Sequence, residues 1–61
     1  MTGQKIRNLR KSQKLSQEKL GQIIGVAKSR ISDWENGKVL PRLTTLKKIA
    51  DALWCSVNDL I

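Results

Sequence analysis

The chain has 61 residues, with twelve Lys and Arg against five Asp and Glu, one cysteine and no histidine, for a net charge of +7. That length suits one domain near the lower limit for folding unaided, and the cysteine and histidine counts exclude an internal disulfide and a Cys/His zinc site. No apolar run approaches the roughly 20 residues that span a bilayer, and residues 1–5 do not lead into a signal-peptide core, so the expected location is the cytoplasm.

In chain order, the first predicted helix covers residues 2–13, with Ile6 and Leu9 three apart and Gln13 completing the stripe. Ser16 is placed to cap a second helix, with Glu18 in its positive first turn. Leu20, Ile23 and Ile24 are its expected buried stripe. Gly25 suits a left-handed turn, after which a third helix over residues 28–36 buries Ile31 and Trp34 and closes at Gly37. Residues 38–42 form a loop, because Pro41 discourages helix at Leu40. Leu43, Leu46, Ile49, Ala50 and Leu53 repeat at helical spacing and give a fourth helix. Ser56 with Asp59 three residues on reads as a capping box opening a short fifth. With no strand alternation, the expected fold is all-α: five short helices around one core, with a helix-turn-helix over about residues 16–36.

A helix delivered at a fixed angle by a tight turn can be pressed into the DNA major groove. The positive charge favours polyanions, nucleic acid before an anionic membrane surface. Because the lysines are spread over several helices, a membrane role is the weaker reading. At 100° per residue, with Ile31 inward, Trp34 and Ala27 share the inner side and Glu35 lies on one flank. Lys28, Ser29, Ser32 and Asp33 project outward, and Arg30 occupies the opposite flank. Lys28 can donate to guanine, Ser29 and Ser32 can donate or accept, and Ala27 can meet a thymine methyl. Asp33 can accept from cytosine N4 or pair with Arg30 one turn back; the pairing is the favoured reading, holding Arg30 near a phosphate. The bland alternative for this face is a solvated charged surface. Trp34, three residues from Ile31, reads as a core anchor rather than a base-stacking group.

Leu15-Ser-Gln-Glu-Lys-Leu, Gly25-Val-Ala-Lys-Ser-Arg-Ile-Ser, Trp34-Glu-Asn-Gly-Lys, Pro41, Leu46-Lys-Lys-Ile-Ala-Asp-Ala-Leu and Ser56-Val-Asn-Asp-Leu together resemble the XRE family of lambda-type repressors and Cro proteins. The resemblance runs from about Ile6 to the C-terminus. It implies a lambda-repressor-like fold and dimeric binding to operator DNA in transcription control, in a bacterial or phage setting. It places Ala27, Lys28, Ser29, Ser32 and Asp33 nearest the base edges. Gln17, in the first turn of the second helix, matches a glutamine that the family sets on a phosphate. Asn36, Lys38 and Arg42 lie where a loop would clasp the next phosphates, whereas Lys5, Lys11, Lys14, Lys47 and Lys48 read as solvated surface. Arg10 and Glu35 flank their apolar stripes, and in the family this pair forms a salt bridge. Two positions depart from the pattern. Ala27 stands where a Ser or Thr cap is usual, and Trp54 where Gly, Asn or Asp ends the fourth helix.

An enzyme is not expected. There is no His or Tyr, no glycine-rich phosphate loop and no paired carboxylates, and Cys55 reads as inert without an activating neighbour. No cofactor, metal or small-molecule ligand is implied. The competing function is a protein-interaction module, such as an antitoxin or regulator-binding domain, whose DNA binding needs a partner. Trp54, Val57, Leu60 and Ile61 are its candidate partner or dimer patch; the alternative is that Val57 and Leu60 close the core. If the chain dimerises, the reading helices are expected roughly 34 Å apart on an inverted repeat.

Overall fold

The structure is a computed structural model that describes residues 2–61. It contains four α-helices, α1 (Thr2–Ser12), α2 (Gln17–Ile24), α3 (Lys28–Glu35) and α4 (Leu43–Ala52), followed by a single 3-10 turn at Val57–Asp59. The expected fifth helix is therefore only that turn. Its start is set by Asp59 Oδ2, which accepts from the Ser56 N–H at 3.0 Å and the Ser56 hydroxyl at 3.1 Å. Leu60 then donates its N–H to Val57 O, three residues back, and its side chain plunges into the core, which leaves no length for an α-helical turn.

Two other ends differ by one residue. α1 stops at Ser12 because Lys14 adopts φ 59° and the Leu15 N–H returns to Arg10 O at 3.1 Å. Asn36 caps α3 rather than extending it. Ser16 Oγ accepts the Lys19 N–H at 2.9 Å, and Gly25, at φ 81°, ends α2 in the left-handed region where glycine carries no Cβ penalty.

Ile6, Leu20, Ile31, Trp34, Leu46, Ile49, Ala50, Leu53 and Leu60 form the core. Burying each large apolar side chain is worth about 1.5–3 kcal/mol. Three stripe positions come out differently from the periodic pattern. Ile23 and Leu43 are exposed, and Gln13 is exposed while its amide donates to Leu53 O. Ile23 sits on the edge of its stripe, 60° from Leu20 at helical pitch, and borders a shallow groove with Ile24, Lys48, Asp51 and Ala52 instead of entering the core. Leu43 opens α4 at the surface, one turn before the first buried position, Leu46.

Gly3 fixes how closely α1 approaches α3. A Cβ there would lie 2.3 Å from Trp34 O and 2.8 Å from Glu35 O. This contact lays α1 across the end of α3, one α-helical turn before Ile6.

Candidate nucleic-acid interface

The presentation of α3 begins in the turn before it. Gly21 O accepts the N–H groups of both Gly25 (2.8 Å) and Val26 (2.9 Å), folding the chain tightly back. A Cβ at Gly21 would stand 2.5 Å from Val26 O, so the turn can seat on α2 only because that residue is glycine. Ala27 then begins α3 from an extended backbone, φ −72° and ψ 150°, with no side-chain cap.

Ile31 and Trp34 hold the inner side of α3 in the core. Ala27, Lys28, Ser29 and Arg30 are exposed, and Ser32, Asp33 and Glu35 are half-buried. Ala27 thus lies open to solvent even though the helical projection sets it on the inner side, because at the cap it precedes the turn that packs. Ser32 Oγ accepts from Asn36 Nδ2 at 3.3 Å, which leaves its own O–H free to donate.

The expected Arg30–Asp33 pairing is not formed: among the described residues the ion pair is Arg10–Glu35. Arg30 and Asp33 instead stand on the walls of one shallow depression, with Ser29, Trp34 and Val39 between and beside them. Asp33 is tied to the following loop through its backbone, its carbonyl accepting the Lys38 N–H at 2.9 Å. That bond and Gly37, at φ 76°, turn the chain back along α3. Exposed Asn36 and Lys38 lie just past the helix, and exposed Arg42 stands at the N-cap of α4, again without a side-chain cap.

Behind this face lies a polar network. Arg10 Nε donates to Glu35 Oε2 at 2.6 Å and its Nη2 to Oε1 at 3.0 Å, while Nη1 reaches Leu15 O at 2.7 Å. Both side chains are nearly inaccessible, a geometry in which the two-pronged pair holds well but loss of one partner is costly. Gln17, the first residue of α2 and half-buried, donates Nε2 to Glu35 Oε1 at 3.1 Å. The network therefore ties α1, α2 and α3 together at one carboxylate. Sequence spacing carried no signal for the Gln17–Glu35 bond, because it joins two helices 18 residues apart in the chain. Nor did it signal the exposed apolar rim of Val39 and Leu40, which lies in a loop without periodicity.

Just past α4, Trp54 is 88% exposed at φ 58°, and Ile61 is 60% exposed. Val57 is half-buried. Leu60, a candidate for the same patch, is fully buried and belongs to the core. Lys5, Lys11, Lys14, Lys47 and Lys48 are all exposed, Lys5 Nζ meeting the backbone carbonyl of Ile61. Partial burial, and after it the charge of Asp59, pushes the Cys55 thiol up from its ordinary range, the opposite of an activated nucleophile. No helix among the described residues is long and apolar enough to cross a membrane.

Two short helices joined by a glycine turn, the second with an uncovered polar face, define a helix-turn-helix protein. The helix-turn-helix family model matches residues 6–60, and the chain belongs to that family. It is similar to the Repressor protein C2 of Salmonella phage P22, 36% identical over 61 residues, covering 100% of this chain and 28% of the relative. It is also 34% identical over 59 residues to the immunity repressor protein of Bacillus phage phi105 (97% of this chain, 41% of the relative). A third relative is the HTH-type transcriptional activator BcrR of Enterococcus faecalis, 33% identical over 58 residues (95% and 28%). The chain thus spans less than half the length of these relatives. Among solved structures, the P22 c2 repressor in complex with a synthetic operator superposes with a TM-score of 0.94 at 36% identity, covering 100% of this chain and 92% of that one. The restriction-modification controller protein C.AhdI of Aeromonas hydrophila gives 0.93 at 33% identity (98% and 91%).

Proposed function

We propose that residues 1–61 form one domain that binds double-stranded DNA sequence-specifically and regulates transcription, with α3 lying in the major groove. The observation that carries this reading is the uncovered outer face of α3. Ala27, Lys28, Ser29 and Arg30 are exposed on a helix whose other side is locked into the core, in a chain of charge +7. A groove about 12 Å wide admits such a helix. Ala27, Lys28, Ser29, Ser32 and Asp33 read base edges, while Gln17, Arg30, Asn36, Lys38 and Arg42 hold phosphates and set the register. Asp33, free of Arg30, then serves as an acceptor for a cytosine N4 amine.

The operator-bound P22 c2 repressor supports this reading through its likeness in fold and sequence. The relatives include repressors and an activator. Repression is the reading for this chain, because occluding a promoter requires nothing beyond occupancy of the site. A module this small binds an operator weakly as a monomer, so the reading includes a dimer on an inverted repeat. The exposed indole of Trp54 and the exposed Ile61 favour the segment after α4 as the partner-facing surface, whether the partner is a second copy or another protein. No reaction and no cofactor enter this account.

Selection from a random duplex library at physiological salt, with excess competitor DNA, tests it. The expected result is an enriched inverted repeat whose half-sites are centred about one helical turn apart. Salt-sensitive retention without enrichment would contradict sequence-specific binding.

A further inference from the structure

We infer that Glu35 is a positioning residue for DNA binding: its carboxylate orients the Gln17 amide so that an N–H, rather than the carbonyl oxygen, faces the backbone phosphate. The inference rests on the phosphate role proposed for Gln17.

A phosphate oxygen only accepts hydrogen bonds, so Gln17 can hold one only through Nε2. A freely turning amide presents its oxygen about as readily as its nitrogen, and the oxygen would face the phosphate with lone pairs against lone pairs. Glu35 removes that choice. Its ionised carboxylate also only accepts, and it stands 3.1 Å from Gln17 Nε2, so the flipped amide is excluded. One of the two Nε2 protons is engaged there, and the second remains to donate outward from the first turn of α2.

Glu35 is itself held by both prongs of Arg10, at 2.6 and 3.0 Å, and Arg10 is anchored on Leu15 O. This fixes where the carboxylate stands, and it neutralises an anion that would otherwise repel the DNA. Glu35 is the last residue of α3, so its bond to Gln17 registers the glutamine on α2 against the reading helix itself. The arrangement couples grip on the backbone to the seating of α3.

The charge sign separates this role from general electrostatics. Glu35→Gln removes one carboxylate and raises the net charge from +7 to +8, which by itself strengthens attraction to DNA. A positioning role predicts the reverse. We expect Gln17→Ala to weaken binding to a selected duplex by about tenfold, the scale of one hydrogen bond to a charged group. Glu35→Gln should weaken it by a similar factor, and the double variant should bind no worse than Gln17→Ala. Each variant is measured at a temperature where circular dichroism shows a fully helical protein.

Side-chain amide resonances of Gln17 in the free protein give a readout that needs no DNA. Its two Nε2 protons should be well separated in shift and should converge in Glu35→Gln. Wild-type-like or tighter DNA binding by folded Glu35→Gln overturns the inference, as do additive losses in the double variant or unperturbed Gln17 amide signals in the wild type. If Gln17→Ala binds as wild type while its amide is ordered by Glu35, the phosphate assignment is what fails.

Discussion

Trp54 carries a large aromatic ring, 88% exposed, on a backbone at φ 58°. A non-glycine residue in the left-handed region costs roughly 1–2 kcal/mol, and glycine offsets part of any gain through its unfolded-state entropy. Trp54→Gly should therefore stabilise the folded chain by about 0.5–1 kcal/mol in urea denaturation; a loss of stability would mean the indole makes contacts that matter to the fold. Glu35 lies at the other extreme. Glu35→Ala leaves the buried Arg10 guanidinium facing Leu15 O alone, and should cost about 3–5 kcal/mol in a domain whose whole stability is of order 3–9 kcal/mol. Thermal unfolding should show a greatly lowered midpoint. Ala27 is a milder case. Its extended φ and ψ are those of a cap without a capping side chain, so Ala27→Ser should raise stability by about 1 kcal/mol, read from the same denaturation experiment.

The elements meet through glycines whose importance lies entirely in their neighbours. Gly21→Ala puts a Cβ 2.5 Å from Val26 O, so either the turn or α2 must shift, at about 1–3 kcal/mol. Because that turn aims α3, DNA affinity should fall by more than the loss of folded protein explains. Equal losses in the two would place the turn outside the binding mechanism. Neither Gly21 nor Gly3 could be singled out from the chain alone, since a glycine inside a helix shows its purpose only when another backbone comes to rest against it. Helical periodicity, by contrast, was legible wherever a stripe had a partner on its whole width. It located all four α-helices and buried Ile6, Leu20, Ile31, Trp34, Leu46 and Ile49. It failed at stripe edges such as Ile23, where a helix has no neighbour to cover the flank. It also failed at the fifth helix, where Ser56 and Asp59 gave a correct start signal for an element that Leu60 ends after one turn. The Arg10–Glu35 contact was legible from flanking positions together with family resemblance, whereas the Gln17 bond to the same carboxylate was not. Pitch alone set Lys28 and Ser29 on the exposed face of α3, but it turned Ala27 inward and did not show that Ser32 and Asp33 are half-buried. The Arg30–Asp33 pairing did not follow either, because three-residue spacing permits such a pair without enforcing it.

At the scale of the whole molecule, four helices hold one face of polar and cationic side chains open, and an exposed indole sits elsewhere on the surface. If the charged phosphate contacts are Arg30, Lys38 and Arg42, binding should fall with salt at a log–log slope of about −2.7 per protomer. Arg42→Ala should flatten that slope by about 0.9 and weaken all sequences alike, whereas neutral Gln17 should leave it unchanged. Sedimentation of the free chain with and without Trp54→Gly checks the partner-facing surface. Loss of concentration-dependent association is expected if a second copy covers the indole, and identical monomeric behaviour of both would point to a different partner. Base reading by α3 is tested by repeating the library selection with Lys28→Ala. Preference should relax or change at one position of each half-site, at about 1–3 kcal/mol, with the remaining positions intact. An unchanged consensus bound uniformly more weakly would contradict it and make Lys28 a phosphate contact.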